Sequence, residues 1–331
     1  MGKIGITTTI PVEVIFASGE TPVDLNNIFI TSPNPALLIK KAEEEGLPRN
    51  LCSWVKGIYA AILENPDVKT VIAVTEGDCT NTLAMLDVLS GSGVNVITFS
   101  YPFSRKSTHL NNAIGRLESD FGVSREKTEE WRLKLNVIRK KALRIDEMCW
   151  RENKVTGLTD HLALISCSDF EQDPHKFSQK LDNYIKEAEE TEPMQHPIRL
   201  GYCGVPTIYS DLYGYLESMG ARVVFNEMQR QFAMPYPAQS ITEQYLNYTY
   251  PYSYSFRIND IQEEINKRKI DGIIHYVQSF CHHQIHDRSL KEKLSVPVLT
   301  LEGDKPGPLI ERSKIRIESF LEMLALGRSG S

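Results

Sequence analysis

An α/β fold of two parallel-sheet lobes with a helical insertion between them is what this sequence predicts, on three observations. Short apolar runs alternate with amphipathic helical stretches, the order that builds a parallel sheet with helices on its faces. The alternation reaches Ser100, gives way to a long charged helical stretch from about Arg125 to Arg151, and restarts at Ile198. The stretch just before the restart, Glu190-Thr191-Glu192-Pro193-Met194-Gln195-His196-Pro197, is polar and proline-containing, as a linker is.

In chain order, the first lobe reads as helices at Pro35–Glu45 and Ser53–Glu64, a strand at Thr70–Thr75, a helix at Leu83–Leu89 and a strand at Val94–Ser100. In the charged stretch Leu133, Leu135, Val137, Ile138, Leu143 and Ile145 are mixed with Lys, Arg and Glu, the pattern of a helix with one buried face. A further helix is expected from His175 to Glu190. The second lobe then reads as strand Ile198–Tyr202, helix Ile208–Met219, strand Arg222–Phe225, helix Ile258–Lys267, and strands Gly272–Val277 and Pro297–Leu301. A closing helix runs from about Ile310 to Leu324. The expected division is therefore an N-terminal lobe over 1–150, a helical connector over 151–196, a C-terminal lobe over 197–326, and an appended tail over 327–331. Each lobe would be Rossmann-like or flavodoxin-like.

A chain of 331 residues with 41% apolar and 24% charged residues is an ordinary soluble globular protein of about two domains. Its net charge of -6 argues against a nucleic-acid-binding surface. No apolar run approaches the ~20 residues of a membrane helix, so no membrane partner is expected. The first residues lack the apolar core of a signal peptide, which places the chain in the cytoplasm as an expectation. There, cysteines serve as thiols or metal ligands more often than in disulfides.

Three of those cysteines stand where an open α/β sheet presents ligands. Cys52 opens a helical run, Cys79 lies just past an apolar strand, and Cys281 reads as the end of a third strand. Ligands bind outside the carboxyl ends of such strands, so three converging thiols are candidates to hold a metal cluster. The plainer alternative is that they are small buried hydrophobes, since no C-x-x-C pair is present. Cys149 and Cys167 read as core residues. The run Cys281-His282-His283-Gln284-Ile285-His286 also raises zinc, with His282 and His286 spaced to share a helix face. Glu13, Glu76 and His282 are the candidate acid/base groups. The tyrosine-dense stretch from Tyr245 to Phe256 reads either as a pocket wall or subunit interface, or as packing. The strand-and-turn Gly201-Tyr202-Cys203-Gly204-Val205-Pro206 is suited to offer backbone N–H groups to an anion. No G-x-G-x-x-G or Walker A motif accompanies it.

The ordered set of segments resembles one family. Pro11-Val12-Glu13-Val14-Ile15-Phe16-Ala17-Ser18-Gly19-Glu20-Thr21-Pro22, Asn50-Leu51-Cys52, the strand before Cys79, the strand–Gly-x-Pro–helix opening of the second lobe, Phe280-Cys281-His282 and the closing helix together look like the 2-hydroxyacyl-CoA dehydratase D-component family. That family includes benzoyl-CoA reductase subunits and double-cubane-cluster proteins. The resemblance implies a low-potential [4Fe–4S] cluster in the inter-lobe cleft, held by Cys52, Cys79 and Cys281. It also implies an ATP-hydrolysing activator as electron donor, a homodimer or a heterodimer with a related subunit, and a lyase that removes water from a 2-hydroxyacyl-CoA by radical chemistry.

Two departures qualify the match. Thr80-Asn81 follow Cys79 where many members carry Asp, which leaves an acyl-CoA or another small molecule as substrate. Cys203 stands where double-cubane members carry a cysteine, yet no further cysteine follows between Phe225 and Pro237. The alternatives are thus an ATP-dependent reductase with an [8Fe–9S] double cubane, a single cluster closed by Cys203 in an electron-transfer subunit, and a metal-free two-lobed binding protein.

Overall fold

The computed structural model describes residues 2–89 and 91–329. Its strands form two four-stranded sheets, and every pairing in both is parallel. The first contains β1 (Lys3–Ile6), β2 (Thr21–Asp24), β3 (Val68–Glu76) and β4 (Asn95–Ser100) in the order β2-β1-β3-β4. The second contains β5 (Ile198–Gly204), β6 (Ala221–Asn226), β7 (Gly272–Val277) and β8 (Val298–Glu302) in the order β6-β5-β7-β8. The two windings are the same, and the expected pair of Rossmann-like lobes is what the chain forms.

Packing divides the chain less linearly than the sequence suggests. One compact unit is Met1–Lys140 with Ser166–Ser178 and Phe232–Ser253; the other is Lys141–Ile165 with Gln179–Gln231 and Tyr254–Ser331. The boundaries at 150 and 196 therefore do not follow the packing, because the first unit takes back two later stretches. The charged helix spans Arg125–Trp150. The closing helix spans Glu311–Ser329, so it includes three of the five residues read as a tail; residues 330 and 331 lie outside the described ones.

Each sheet is covered by apolar helix faces. In the first unit Val71 and Ala73 of β3 pack with Val55, Ile58, Tyr59 and Ile62 of the Ser53–Glu64 helix and with Met85, Leu86 and Leu89. That helix is buried on all sides from Ser53 to Ile62. A Cβ at Gly57 would collide with the Phe29 ring, so the Leu25–Thr31 helix reaches its place only because residue 57 is glycine. In the second unit Ile273, Val224 and Phe225 pack with Ile258, Ile261 and Ile265 of the Tyr254–Arg268 helix. Burying each such side chain stabilises by about 1.5–3 kcal/mol over leaving it exposed.

Candidate functional site

In both sheets the winding reverses beside the third strand of the unit, between β1 and β3 and between β5 and β7. Loops leaving the carboxyl ends of strands at such a reversal bind ligands in open α/β folds. Cys79 lies three residues after β3 and Cys281 four residues after β7. The strand spans Gly272–Val277 as its apolar run reads, so Cys281 lies beyond the strand's end and caps a short 3₁₀ helix, His282–His286.

The first unit supplies two of the candidate thiols. Cys52 is the residue before the Ser53–Glu64 helix, with extended backbone (φ -50°, ψ 135°), and its carbonyl accepts the Lys56 N–H at 3.2 Å. The buried Lys56 ammonium donates to the Arg49 carbonyl at 3.0 Å and to Glu43 Oε1 at 2.8 Å, so this helix pins the loop leading to Cys52. Cys79 precedes the Thr80–Leu89 helix, and its carbonyl accepts the Thr82 N–H at 3.0 Å. The turn into it requires Gly77, whose φ is +96° and whose Cβ would meet Pro251 and Tyr101 at 2.8 and 2.9 Å. Asp78, which the sequence reading passed over, stands between them. Burial pushes its carboxyl up to about 7, against hydrogen bonds from the Cys79 N–H and Thr82. Its place beside Cys79 was the available signal.

Of the acid/base candidates in this unit, Glu13 is sealed at 0% exposure. Its Oε1 accepts from Arg139 Nη1 at 2.7 Å and Gln244 Nε2 at 2.9 Å, and its Oε2 from the Tyr245 hydroxyl at 2.8 Å. Oε1 is thus committed to an internal ion pair and Oε2 to a buried hydroxyl. Glu76 is exposed and accepts the Phe103 N–H at 2.8 Å, tying the loop after β4. The tyrosine-dense stretch is packing in large part: Tyr245, Tyr248 and Tyr252 ring Tyr101 with centroids 5.9 to 6.4 Å away.

The second unit supplies Cys281. Its loop is fixed at Ser279, whose N–H and hydroxyl donate to the two oxygens of Asp304 at 2.7 and 2.6 Å. Phe280 holds a positive φ of 61° with its ring 68% exposed. Burial raises the Cys281 thiol, while the backbone N–H groups of His283, Gln278 and Gln284 and then the Arg257 charge pull it back. Arg257 grips Glu227 with both arms of its fork at 2.7 Å, and its third nitrogen reaches His283 Nδ1 at 3.1 Å. Arginine only donates, so His283 Nδ1 accepts and the ring is neutral; burial and Arg257 hold it well below the usual histidine range. His286 stacks on Tyr254 with centroids 3.7 Å apart and is pushed down to about 4 by the same causes. His282 is exposed and shifted down by desolvation, then by Arg257. Sequence reasoning missed the Glu227–Arg257–His283 relay, because 30 residues separate the ion pair in the chain.

Two readings of this unit change. Cys203 lies inside β5, is 1% exposed and packs with Phe225 and Ile273, so it sits in the core and not in the turn. The turn itself does not hold its amide open for an anion: Gly204 N–H points to Glu227 Oε2 at 3.4 Å. As for zinc, the His282 and His286 rings are 6.4 Å apart and edge-on. Among the described residues, no three His, Cys, Asp or Glu side chains are set to hold a metal ion.

The six cysteines separate into two classes. None is joined in a disulfide. Cys52, Cys79 and Cys281 are partly buried, and each stands immediately before a helix, where unpaired N–H groups favour an anion such as a thiolate. Cys149, Cys167 and Cys203 are buried, and burial raises all three thiols. The donor set of the first class suits an iron–sulfur cluster, whose usual ligands are thiolates. Residues 7–324 match the family model described as 2-hydroxyglutaryl-CoA dehydratase, D-component. The chain belongs to that family. No curated protein matches it. Membership carries a dehydratase-type enzyme component and, with it, a partner activator. Among the described residues no helix is long and apolar enough to cross a membrane.

Proposed function

We propose that this D-component chain is the iron–sulfur subunit of a 2-hydroxyacyl-CoA dehydratase-like lyase, with Cys52, Cys79 and Cys281 as the thiolate ligands of a [4Fe–4S] cluster. The observation that carries the reading is the division of the thiols: the three that the family resemblance singles out are the three at helix starts, and the other three are sealed. When bound, such a cluster supplies a low-potential electron and an iron coordination position left open by three ligands. The partner activator would be the ATP-hydrolysing source of that electron.

The chain's own residues hold the thiols and manage protons. Lys56 fixes the backbone before Cys52, Gly77 permits the turn before Cys79, and Ser279 with Asp304 anchors the loop before Cys281. Arg257 and Glu227 hold His283 beside the last of these. His282, exposed and adjacent to Cys281, is assigned to proton transfer. Glu13 is assigned to the fold, because its carboxylate is bound on both oxygens. With Cys203 in the core, the double-cubane reductase is the weaker reading.

The test is iron and sulfide content, with EPR, of protein reconstituted without oxygen. About four irons per chain are expected, lost in Cys52→Ser, Cys79→Ser and Cys281→Ser and retained in Cys149→Ser and Cys203→Ser. Unchanged iron in the first three variants overturns the assignment. With cluster present, water loss from 2-hydroxyacyl-CoA thioesters after activation separates the lyase from a pure electron carrier.

A further inference from the structure

Behind the Cys281 loop a chain of buried contacts leads to the thiol itself. Glu227 follows β6 and Arg257 stands on the Tyr254–Arg268 helix, and both side chains are sealed from solvent. Arg257 commits Nε and Nη2 to the two Glu227 oxygens, each at 2.7 Å, and turns Nη1 to His283 Nδ1 at 3.1 Å. Tyr254 closes another side: its ring lies 5.1 Å from the guanidinium and stacks on the His286 ring at 3.7 Å. His286 Nδ1 lies 3.4 Å from His283 Nδ1. The guanidinium is thereby fixed in orientation, and so is the imidazole it holds.

What the imidazole holds is its own backbone. His283 is the second residue of the His282–His286 3₁₀ helix, and the first N–H groups of a helix have no carbonyl within it. The His283 N–H is directed to the Cys281 sulfur, foremost among the amides there and ahead of Gln278 and Gln284. Gln284 N–H also donates to the Cys281 carbonyl at 3.0 Å, and Cys281 N–H to the Gln278 carbonyl at 3.1 Å.

We infer that His283 is a positioning residue: pinned by Arg257 and Glu227, it keeps its backbone N–H on the Cys281 sulfur and so sets how readily a cluster bound there accepts an electron. The inference rests on the reading of Cys281 as a cluster ligand. Hydrogen bonds to a ligating sulfur disperse its negative charge and favour the reduced state, which is one way proteins tune cluster potentials. His283 suits this task and not the carrying of protons. Arginine has no lone pair to offer, so the His283 Nδ1 lone pair is taken up by a permanent donor. Proton transfer then falls to the exposed His282, and the two neighbouring histidines have separate work.

Two measurements test the inference, one with iron and one without. In reconstituted protein, His283→Leu should keep its iron, and EPR-monitored titration should show the reduction equilibrium moved about tenfold toward the oxidised cluster, 59 mV for one electron. In the metal-free chain, iodoacetamide should label Cys281 about tenfold more slowly, since the thiolate is the nucleophile. His283→Gln, whose amide oxygen can still accept from Arg257, should restore both values. If His283→Leu does not fold, Arg257→Lys decides. It keeps the charge but loses the fork that grips Glu227 and His283 together, and it should show both shifts. Wild-type values in the deciding variant overturn the inference, as does a His283→Gln protein that shifts as far as His283→Leu. Iron unaffected by Cys281→Ser would sink the cluster reading instead, and labelling of the metal-free chain would still show whether the clamp acts on the thiol.

Discussion

The loops after β3 and β7 leave the same place in two sheets of the same winding, yet they reach their thiols by different means. After β3 the left-handed residue is Gly77, crowded by Pro251 and Tyr101, and the group next to the thiol is a half-buried, desolvated carboxyl, Asp78. After β7 it is Phe280, an exposed aromatic residue, and the thiol there leads into a histidine run backed by a buried arginine. One loop is shaped by steric fit and the other by an ion pair. Topology thus positions a thiol, and the packing behind each loop chooses how it is tuned.

Breaking the ion pair should have the largest effect. Arg257→Met leaves Glu227 buried and uncompensated, and about 3–5 kcal/mol of stability should be lost in urea titrations. The same change removes a positive charge that favours the Cys281 thiolate, so alkylation of Cys281 should slow while that of Cys79 is unaltered. Next comes pH. Burial pushes His161 of the second unit down to about 4. It is neutral when folded and takes up a proton when unfolded, so stability falls as pH drops from 6.5 toward 4, by about 3 kcal/mol from this group. In the first unit burial and then Asp24 raise Asp169 to about 7, so its protonated form favours the folded chain at low pH and that contribution is lost as pH rises from 3.8 to about 7. The two slopes oppose each other over that range, so His161→Gln should lessen the fall in stability toward acid and Asp169→Asn should deepen it. Gly77→Val should cost about 2 kcal/mol from forced left-handed backbone and crowding. Phe280→Gly should stabilise by about 1 kcal/mol by relieving the same conformation where no crowding opposes it.

Periodicity made the regular elements legible. Ser53–Glu64 and Gly272–Val277 read from the sequence as they stand in the structure, since an apolar helix and a buried β-branched strand are strong patterns. β1 and β2 escaped because four residues each carry too little period. The Ser107–Asp120 helix escaped because its buried Leu110, Ile114 and Leu117 are diluted by polar residues. The candidate thiols could be picked out by their place along the chain, but not the sealing of Cys203, which depends on helix Tyr254–Arg268 covering β5. Nor could Glu13 be distinguished from a catalytic acid, because its partners Gln244 and Tyr245 lie 231 and 232 residues away.

That separation has a consequence for how the protein is made. A ribosome delivers the chain from its N-terminus at about 5–20 residues per second. Residues 1–140 emerge with the Glu13 carboxylate and the Arg139 guanidinium but without Gln244, Tyr245 and the tyrosine stretch that close around them. The N-terminal body therefore waits, unfinished and with apolar surface open, until residue 253 has left the exit tunnel. Chaperone occupancy on the nascent chain should persist across that interval, and a fragment ending before Phe232 should not reach the native state however long it is given.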